Sequence, residues 1–210
     1  MIYLIGGPPK CGKTTLTKKL SKELQIPWIS TDALQVVAMA YLSKVELQKK
    51  FPWSEVRKKT HRINDELYNN YQPKQIIKLY RTAAKSTYPA LDAICASKVA
   101  DGINYILEGL HIEPKFAAQL IKKFGRKNIT AIFLVKKDEK SFIKNIEKSS
   151  TPNDWIIAKT KERKLIYPKI AKMICAYGTV IEKEAREYGF RCMVLDGDFK
   201  KQLQKAIKLL

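Results

Sequence analysis

Eight residues near the N-terminus, Gly7-Pro8-Pro9-Lys10-Cys11-Gly12-Lys13-Thr14, have the types and the spacing G-x-x-x-x-G-K-[ST] that cradle a phosphate chain. Gly7 and Gly12 let the backbone curl so that successive N–H groups face inward and grip anionic oxygens. A helix opening at Lys13 adds the positive end of its dipole. Lys13 would then reach the terminal phosphates of a nucleoside triphosphate, and the Thr14 hydroxyl would ligate Mg²⁺. Pro8 and Pro9 have no N–H, so the donors have to come from Lys10, Cys11, Gly12, Lys13, Thr14 and Thr15. Cys11 reads as a filler position whose thiol is open to oxidation when the cradle is empty. A plain glycine turn between a strand and a helix is the alternative, and the completeness of the match in that context speaks against it.

The elements around the cradle are those that would hold it. Met1–Ile5 is an apolar run ending at Gly6-Gly7, as a buried parallel strand does. Leu16, Leu20 and Leu24 then recur four apart, with lysines on the other face, which predicts a helix. Ile26–Ser30, Ile103–Leu107, Ile129–Val135 and Phe190–Leu195 read as four further strands. A helix starts at Thr31 or Asp32, either of which suits an N-cap. Residues 43–102 are helical and charged, two to four helices punctuated by Pro52, Pro73 and Pro89, which favour helix starts over interiors. Further helices follow at Pro114 to Gly125, Asp138–Lys148, Pro168 to Tyr188 with Gly189 as a left-handed cap, and Phe199–Leu210. Ser149–Asp154 is a turn-rich break. Strands alternating with helices predict an α/β fold, a doubly wound five-stranded parallel sheet in one domain spanning 1–210.

Composition narrows the setting. No apolar stretch nears the ~20 residues that span a bilayer, and the N-terminus lacks the zones of a signal peptide; a cytoplasmic protein is expected. Cys11, Cys95, Cys175 and Cys192 have no metal-type spacing, and with two histidines in the chain a His/Cys zinc cluster is disfavoured. The formal net charge of +20 admits nucleic acid, acidic metabolites or an anionic surface as partners. Its source is 33 lysines and 7 arginines without a concentrated run, the pattern of a lysine-rich solvated surface.

The blocks GGPPKCGKTT at 6–15, STDAL at 30–34 and ILEGLHIEP at 106–114 resemble the small P-loop kinases, the group that contains nucleoside-monophosphate, shikimate, gluconate and zeta-toxin-like kinases. The likeness is greatest to 2-phosphoglycerate kinase-like members, with a weaker match at 161–188, and residues 43–100 contribute little to it. The resemblance implies a P-loop NTPase fold of small-kinase type with ATP and Mg²⁺ as cofactors. It also implies a helical acceptor-side insert at 43–102 and a lid region at 149–167. Asp32 holds the place of the carboxylate that faces the acceptor hydroxyl, where it can orient that group and take its proton. An N-cap role is the plain alternative, and one residue could serve both. Glu108 holds the place of the Walker B acid, at the metal or the acceptor, and Gly109 would let substrate approach the backbone. Arg163 matches the lid arginine that steadies charge on the transferring phosphoryl group, an exposed helix turn being the alternative. His111 could touch the acceptor or simply be a packed, hydrogen-bonded histidine, and Glu113-Pro114 reads as a helix start.

Arginine is scarce beside lysine here, and its fork suits carboxylate and phosphate. Arg57, Arg62 and Arg81 in the insert are therefore candidates to bind an anionic acceptor, with Trp53 and Tyr88 either lining the pocket or buried in the core. Asp196-Gly197-Asp198 either borders the adenine or is a simple turn. The expected activity is transfer of the γ-phosphoryl of ATP to a hydroxyl of a small, anionic metabolite. Two competitors are a 5′-hydroxyl polynucleotide or nucleotide kinase, and a nucleotide-dependent switch or binding protein with no acceptor. No aromatic-rich basic strand motif for stacking bases supports the first. Val135-Lys136-Lys137-Asp138 is only a weak echo of the guanine-reading N-K-x-D, which favours ATP over GTP.

Overall fold

In a computed structural model of the chain, which describes residues 1–148, 154–197 and 199–207, the five apolar runs pair into one parallel sheet. The strands are β1 (Ile2–Gly6), β2 (Trp28–Ser30), β3 (Tyr105–Gly109), β4 (Ile129–Val135) and β5 (Arg191–Val194), in the spatial order β2-β3-β1-β4-β5. The central strands β1, β3 and β4 are apolar without alternation because helices cover both faces of the sheet. On one side α1 (Lys13–Leu24) lies over β1, β2 and β3 and meets α11 (Phe199–Ile207). On the other, α6 (Pro73–Ala100), α7 (Pro114–Phe124) and α10 (Arg163–Glu187) pack on one another. β1 touches β3 on one side and β4 on the other, so the chain order reverses there, and the crevice beyond its carboxyl end is where open α/β sheets bind ligands.

Register brings the sequence blocks together. Ile5 and Ser30 both lie beside Glu108, and Gly6 lies beside Gly109 and Phe133. Three segments distant in sequence, the cradle, Ser30–Asp32 and Glu108–Gly109, therefore leave the sheet at the same edge.

Residues 43–102 hold four helices, at the upper end of the expected number: α3 (Lys44–Lys50), α4 (Pro52–Lys59), α5 (Asn64–Asn70) and α6. Pro52 and Pro73 start helices, but Pro89 lies inside α6 and does not break it. Thr87, Leu91 and Cys95 are fully buried around it, and this packing offsets the hydrogen bond that proline cannot make. The same correction applies at Pro168, which lies inside α10; that helix begins five residues earlier, at Arg163. β3 starts and ends two residues later than its apolar run suggests. The helix after β2, α2 (Thr31–Ala40), is capped by the Ser30 hydroxyl, which accepts from the Asp32 amide at 3.3 Å; neither Thr31 nor Asp32 is the cap. Asp138 and Lys148 bracket α8 (Glu139–Glu147), and a short helix that the pattern did not suggest, α9 (Trp155–Ala158), precedes α10. Most of the turn-rich 149–154 stretch lies outside the described residues. Among those described, no helix is long and apolar enough to cross a membrane.

Candidate active site

The cradle begins where β1 ends. Gly7 has φ +135°, and a Cβ on it would collide with the Leu134 carbonyl of β4, so a side chain could not sit this close to the sheet. Lys10 and Gly12 are left-handed as well, at φ 61° and 84°, which curls the loop into an anion nest. Gly12 caps α1 without a side chain, and among the described residues the amides from Lys10 to Thr15 donate to no other group. These are orphan donors of a helix start, and they converge with the dipole of α1. Lys13 is buried, and its Nζ donates to the Pro8 carbonyl at 2.7 Å, folded back over its own loop.

Thr14 Oγ1 donates to Glu108 Oε1 at 3.0 Å. Glu108 is 3% exposed, and burial pushes its carboxyl above the usual range while Lys13, Thr14 and Ser30 pull it back. A hydroxyl and a carboxylate converging beside orphan amides are hard oxygen donors of the kind Mg²⁺ takes, usually through one or two protein groups with water and phosphate supplying the rest. The residues thus fit a Mg²⁺–triphosphate.

Beside the cradle is a cavity of about 350 Å³ lined by Pro9, Asp32, Gln35, Trp53, Arg57 and Trp155, among others. Pro9 is part of the cradle loop, so the two spaces share a wall. Asp32 is not spent on capping; its side chain is 72% exposed and opens on this cavity. His111 stands behind it at 1% exposure, with Thr31 Oγ1 at 2.7 Å from Nδ1 and Gln35 Oε1 at 2.5 Å from Nε2. Burial lowers its pKa to about 4, more than Asp32 raises it, so the ring is neutral at pH 7 and its 3.7 Å approach to Asp32 is not an ion pair. His111 is thus the packed, hydrogen-bonded histidine of the plainer reading; it anchors α2 to the end of β3. Gly109 serves the same junction. At φ +155° it leaves space that the Thr31 side chain fills, so the missing Cβ admits α2 and not a substrate.

The three insert arginines part company. Arg57 lines the cavity, its Cζ 5.7 Å from the centre of the Trp53 ring. Arg62 is exposed in the loop after α4, and its carbonyl accepts from Arg57 at 2.5 Å. Arg81 faces away from the cavity into a cross-helix cluster, pairing with Glu113 and Glu184 at 2.7 Å each. Its pKa is raised by these two carboxylates, which outweigh the burial that opposes them. Tyr88 leaves the pocket too: it stacks on Phe116 and bonds to Glu113. Glu113 does start α7, but its side chain belongs to this cluster.

Arg163 is the first residue of α10, exposed, with Tyr167 as its electrostatic neighbour, and it touches neither cradle nor cavity. The Asp196 carboxylate accepts from the amides of Lys137 and Asp138 at 3.0–3.1 Å, tying the two loops beyond β4 and β5 together. Asp198 lies outside the described residues. Cys11 is fully buried and pushed up to about 11, so it is a protected thiol and not an oxidation-sensitive one.

No role for Asp154, Trp155 or Asn64 was legible in the sequence. Lys10 pairs with Asp154, the buried cap of α9, and this ties the cradle to the segment after residue 153. Trp155, next in line, forms part of the cavity wall. Asn64 is fully buried; its Oδ1 accepts from Arg57 at 3.3 Å, and its Nδ2 donates to the Trp155 carbonyl and Thr160 Oγ1 at 3.0 Å each.

Comparison with known proteins agrees with this architecture. The family "ATPase family associated with various cellular activities (AAA)" matches residues 3–94. A curated protein named 2-phosphoglycerate kinase, from Pyrococcus horikoshii, is 25% identical over 166 residues. The match covers 77% of this chain and 52% of the relative, so the chain spans about half the length of the curated protein it matches. An unliganded sugar kinase from Janibacter sp. superposes with a TM-score of 0.57 at 11% identity, covering 99% of this chain and 92% of that one. A shikimate kinase from Bacteroides thetaiotaomicron gives 0.48 at 15% identity, covering 100% and 97%. The superposition on the sugar kinase shows that the two chains share a fold.

Proposed function

We propose that this P-loop chain of small-kinase type transfers the γ-phosphoryl group of ATP to a hydroxyl of a small, anionic metabolite, in the manner of the 2-phosphoglycerate kinase-like proteins it resembles. The observation that carries the reading is the shared wall at Pro9: orphan amides for a phosphate chain on one side, a carboxylate-bearing cavity on the other. A cytoplasmic location, where ATP and reduced thiols coexist, belongs to the same proposal, as do the insert at 43–102 and the lid at 149–167.

The amides of Lys10, Cys11, Gly12, Lys13, Thr14 and Thr15, with Gly7 setting the turn, would hold the β- and γ-phosphates of the donor. Lys13 would exchange its bond to the Pro8 carbonyl for the phosphate oxygens. Thr14 and Glu108 would hold Mg²⁺, which when bound offsets charge on the transferring group. Asp32 would orient the acceptor hydroxyl in line and take its proton as the oxygen attacks. Arg57 would meet the acceptor's anionic group. Arg163 would contribute only on closure of the lid, because its guanidinium now lies off the site.

Steady-state release of ADP across a panel of hydroxyl acceptors tests the proposal. Asp32→Asn should keep ATP affinity and lose about 10²–10⁴-fold in transfer. Lys13→Ala should lose both transfer and triphosphate affinity. Normal turnover in either variant would remove that residue from the mechanism, and ATP consumption that no acceptor increases would favour a nucleotide switch.

A further inference from the structure

The acceptor cavity has an unusual wall for a site that takes a strongly anionic substrate. Although the chain has 33 lysines, none among the described residues lines it. Among the described residues its one cation is Arg57, and Asp32 contributes an opposing carboxylate. The remainder sets three aromatic rings among small and aliphatic groups, Val36, Ala83 and Leu110 included. Trp53 and Tyr80 stand with centroids 4.6 Å apart at 49°, Tyr80 being backed by the stacked ring of Tyr177, and Trp155 adds a third ring to the wall.

Arg57 is held in place and kept available. It spends one N–H on Asn64 and one on the Arg62 carbonyl, and no carboxylate among the described residues pairs with it. Three of its five donors remain. Gln35 gives its oxygen to His111 and one amide hydrogen to the weak acceptor Met39 Sδ, leaving a second hydrogen at the cavity wall.

We propose that this cavity selects an acceptor with a flat ring, at most one negative charge and a free hydroxyl: the ring lies against Trp53 and Trp155, and an oxygen on it meets Arg57. The proposal rests on the phosphoryl transfer proposed above and replaces the multiply charged acceptor of 2-phosphoglycerate type with a ring of low charge. A phosphorylated sugar acid such as 2-phosphoglycerate has about three negative charges at neutral pH. One guanidinium facing one aspartate would leave most of that charge unpaired in a partly dry pocket. A ring, by contrast, gains offset stacking and covers apolar wall. The oxygen that meets Arg57 can be a ring carboxylate or a nucleobase carbonyl, and the test separates these two sources.

The test measures ADP release and quenching of tryptophan fluorescence with four compounds: uridine, 4-(hydroxymethyl)benzoate, glycerate and 2-phosphoglycerate. The expected result is transfer to a ring compound with kcat/KM at least about tenfold above both glycerates. Trp53→Ala should reduce that value about tenfold, and Trp53→Phe should restore most of it, which separates stacking from a folding defect. Arg57→Gln should weaken the benzoate more than uridine if a carboxylate is the natural contact, and both alike if it is a carbonyl. Preferred transfer to either glycerate overturns the ring proposal while leaving the kinase reading intact. Quenching by the ring compounds with no transfer to any acceptor upholds the ring pocket and removes the kinase reading. Neither quenching nor transfer with the ring compounds overturns the proposal.

Discussion

Acidification should destabilise this fold through His111, by an amount that the structure sets. The ring lies between Thr31 and Gln35 and is 1% exposed. Because a carbonyl oxygen of Gln35 faces Nε2, that nitrogen carries the proton, and Nδ1 accepts from the Thr31 hydroxyl. The neutral form is thus the one the site binds. Burial, joined by Lys13, lowers the pKa from 6.5 to about 4 against the opposing pull of Asp32. In the unfolded chain the same ring titrates near 6.5. Above that value neither state holds the proton and the group contributes nothing to pH dependence. Below it the unfolded chain binds a proton that the folded chain refuses, so stability falls as pH drops from 6.5 towards 4. The loss is about 2 kcal/mol at pH 5 and about 3 kcal/mol below pH 4.

Urea unfolding of the wild-type chain and of His111→Gln at pH 7.5 and pH 5.0 isolates this contribution. Glutamine can still bridge Thr31 and Gln35 but does not titrate. The acid loss of the variant should be smaller than that of the wild type by about 2 kcal/mol. Titratable groups away from this ring are common to both chains and cancel. Equal acid losses in the two proteins, or a ring that titrates near 6.5 in an NMR experiment on the folded chain, would refute the reasoning. Since α2 also carries Asp32, phosphoryl transfer by the wild type should decline over the same pH range, and reversibly.

Other outcomes follow from the same geometry. Arg81→Met strands the buried carboxylate of Glu113 and should cost about 2–4 kcal/mol in urea unfolding while leaving ATP affinity unchanged. Gly109→Ala places a methyl against Thr31 at φ +155° and should cost at least about 2 kcal/mol, reducing transfer along with stability because α2 is displaced. Cys11, held at about 11 and fully buried, should react with a thiol reagent at pH 8 about 100-fold more slowly than a free thiol, as read by mapping the labelled peptide; rapid labelling would contradict the packing described.

What the sequence disclosed and what it hid divide along physical lines. The cradle was legible because its chemistry is local: eight consecutive residues fix the loop, and no distant contact is needed to interpret them. The strands were legible because burial on both faces demands apolar runs, which the alternating helices then order into a parallel sheet. Prolines misled where packing overruled propensity. Pro89 and Pro168 each lie within a long helix whose buried face continues on both sides, among Leu91 and Cys95 in one case and Tyr167 and Ile170 in the other.

The insert arginines show the remaining limit. Scarcity of arginine marked Arg57, Arg62 and Arg81 alike, but helical phase separates them. On α6, Tyr80 and Ala83 face the cavity. Arg81 follows Tyr80 by about 100° of rotation and is turned towards the carboxylates of α7 and α10. Residue type could suggest a guanidinium for the acceptor; only the direction of each Cα–Cβ bond could say which one. The Arg57 site is likewise completed by Asn64 and by Trp155, 91 residues further on, through contacts that no local pattern encodes. Under the proposed function, residues 43–100 would contribute Trp53, Arg57, Tyr80 and Ala83 to the acceptor wall, while the phosphate chemistry would reside in the cradle. A swap of that segment between relatives should change the acceptor and leave the cradle's affinity for ATP in place, whereas a chimera that kept its original acceptor would put specificity elsewhere.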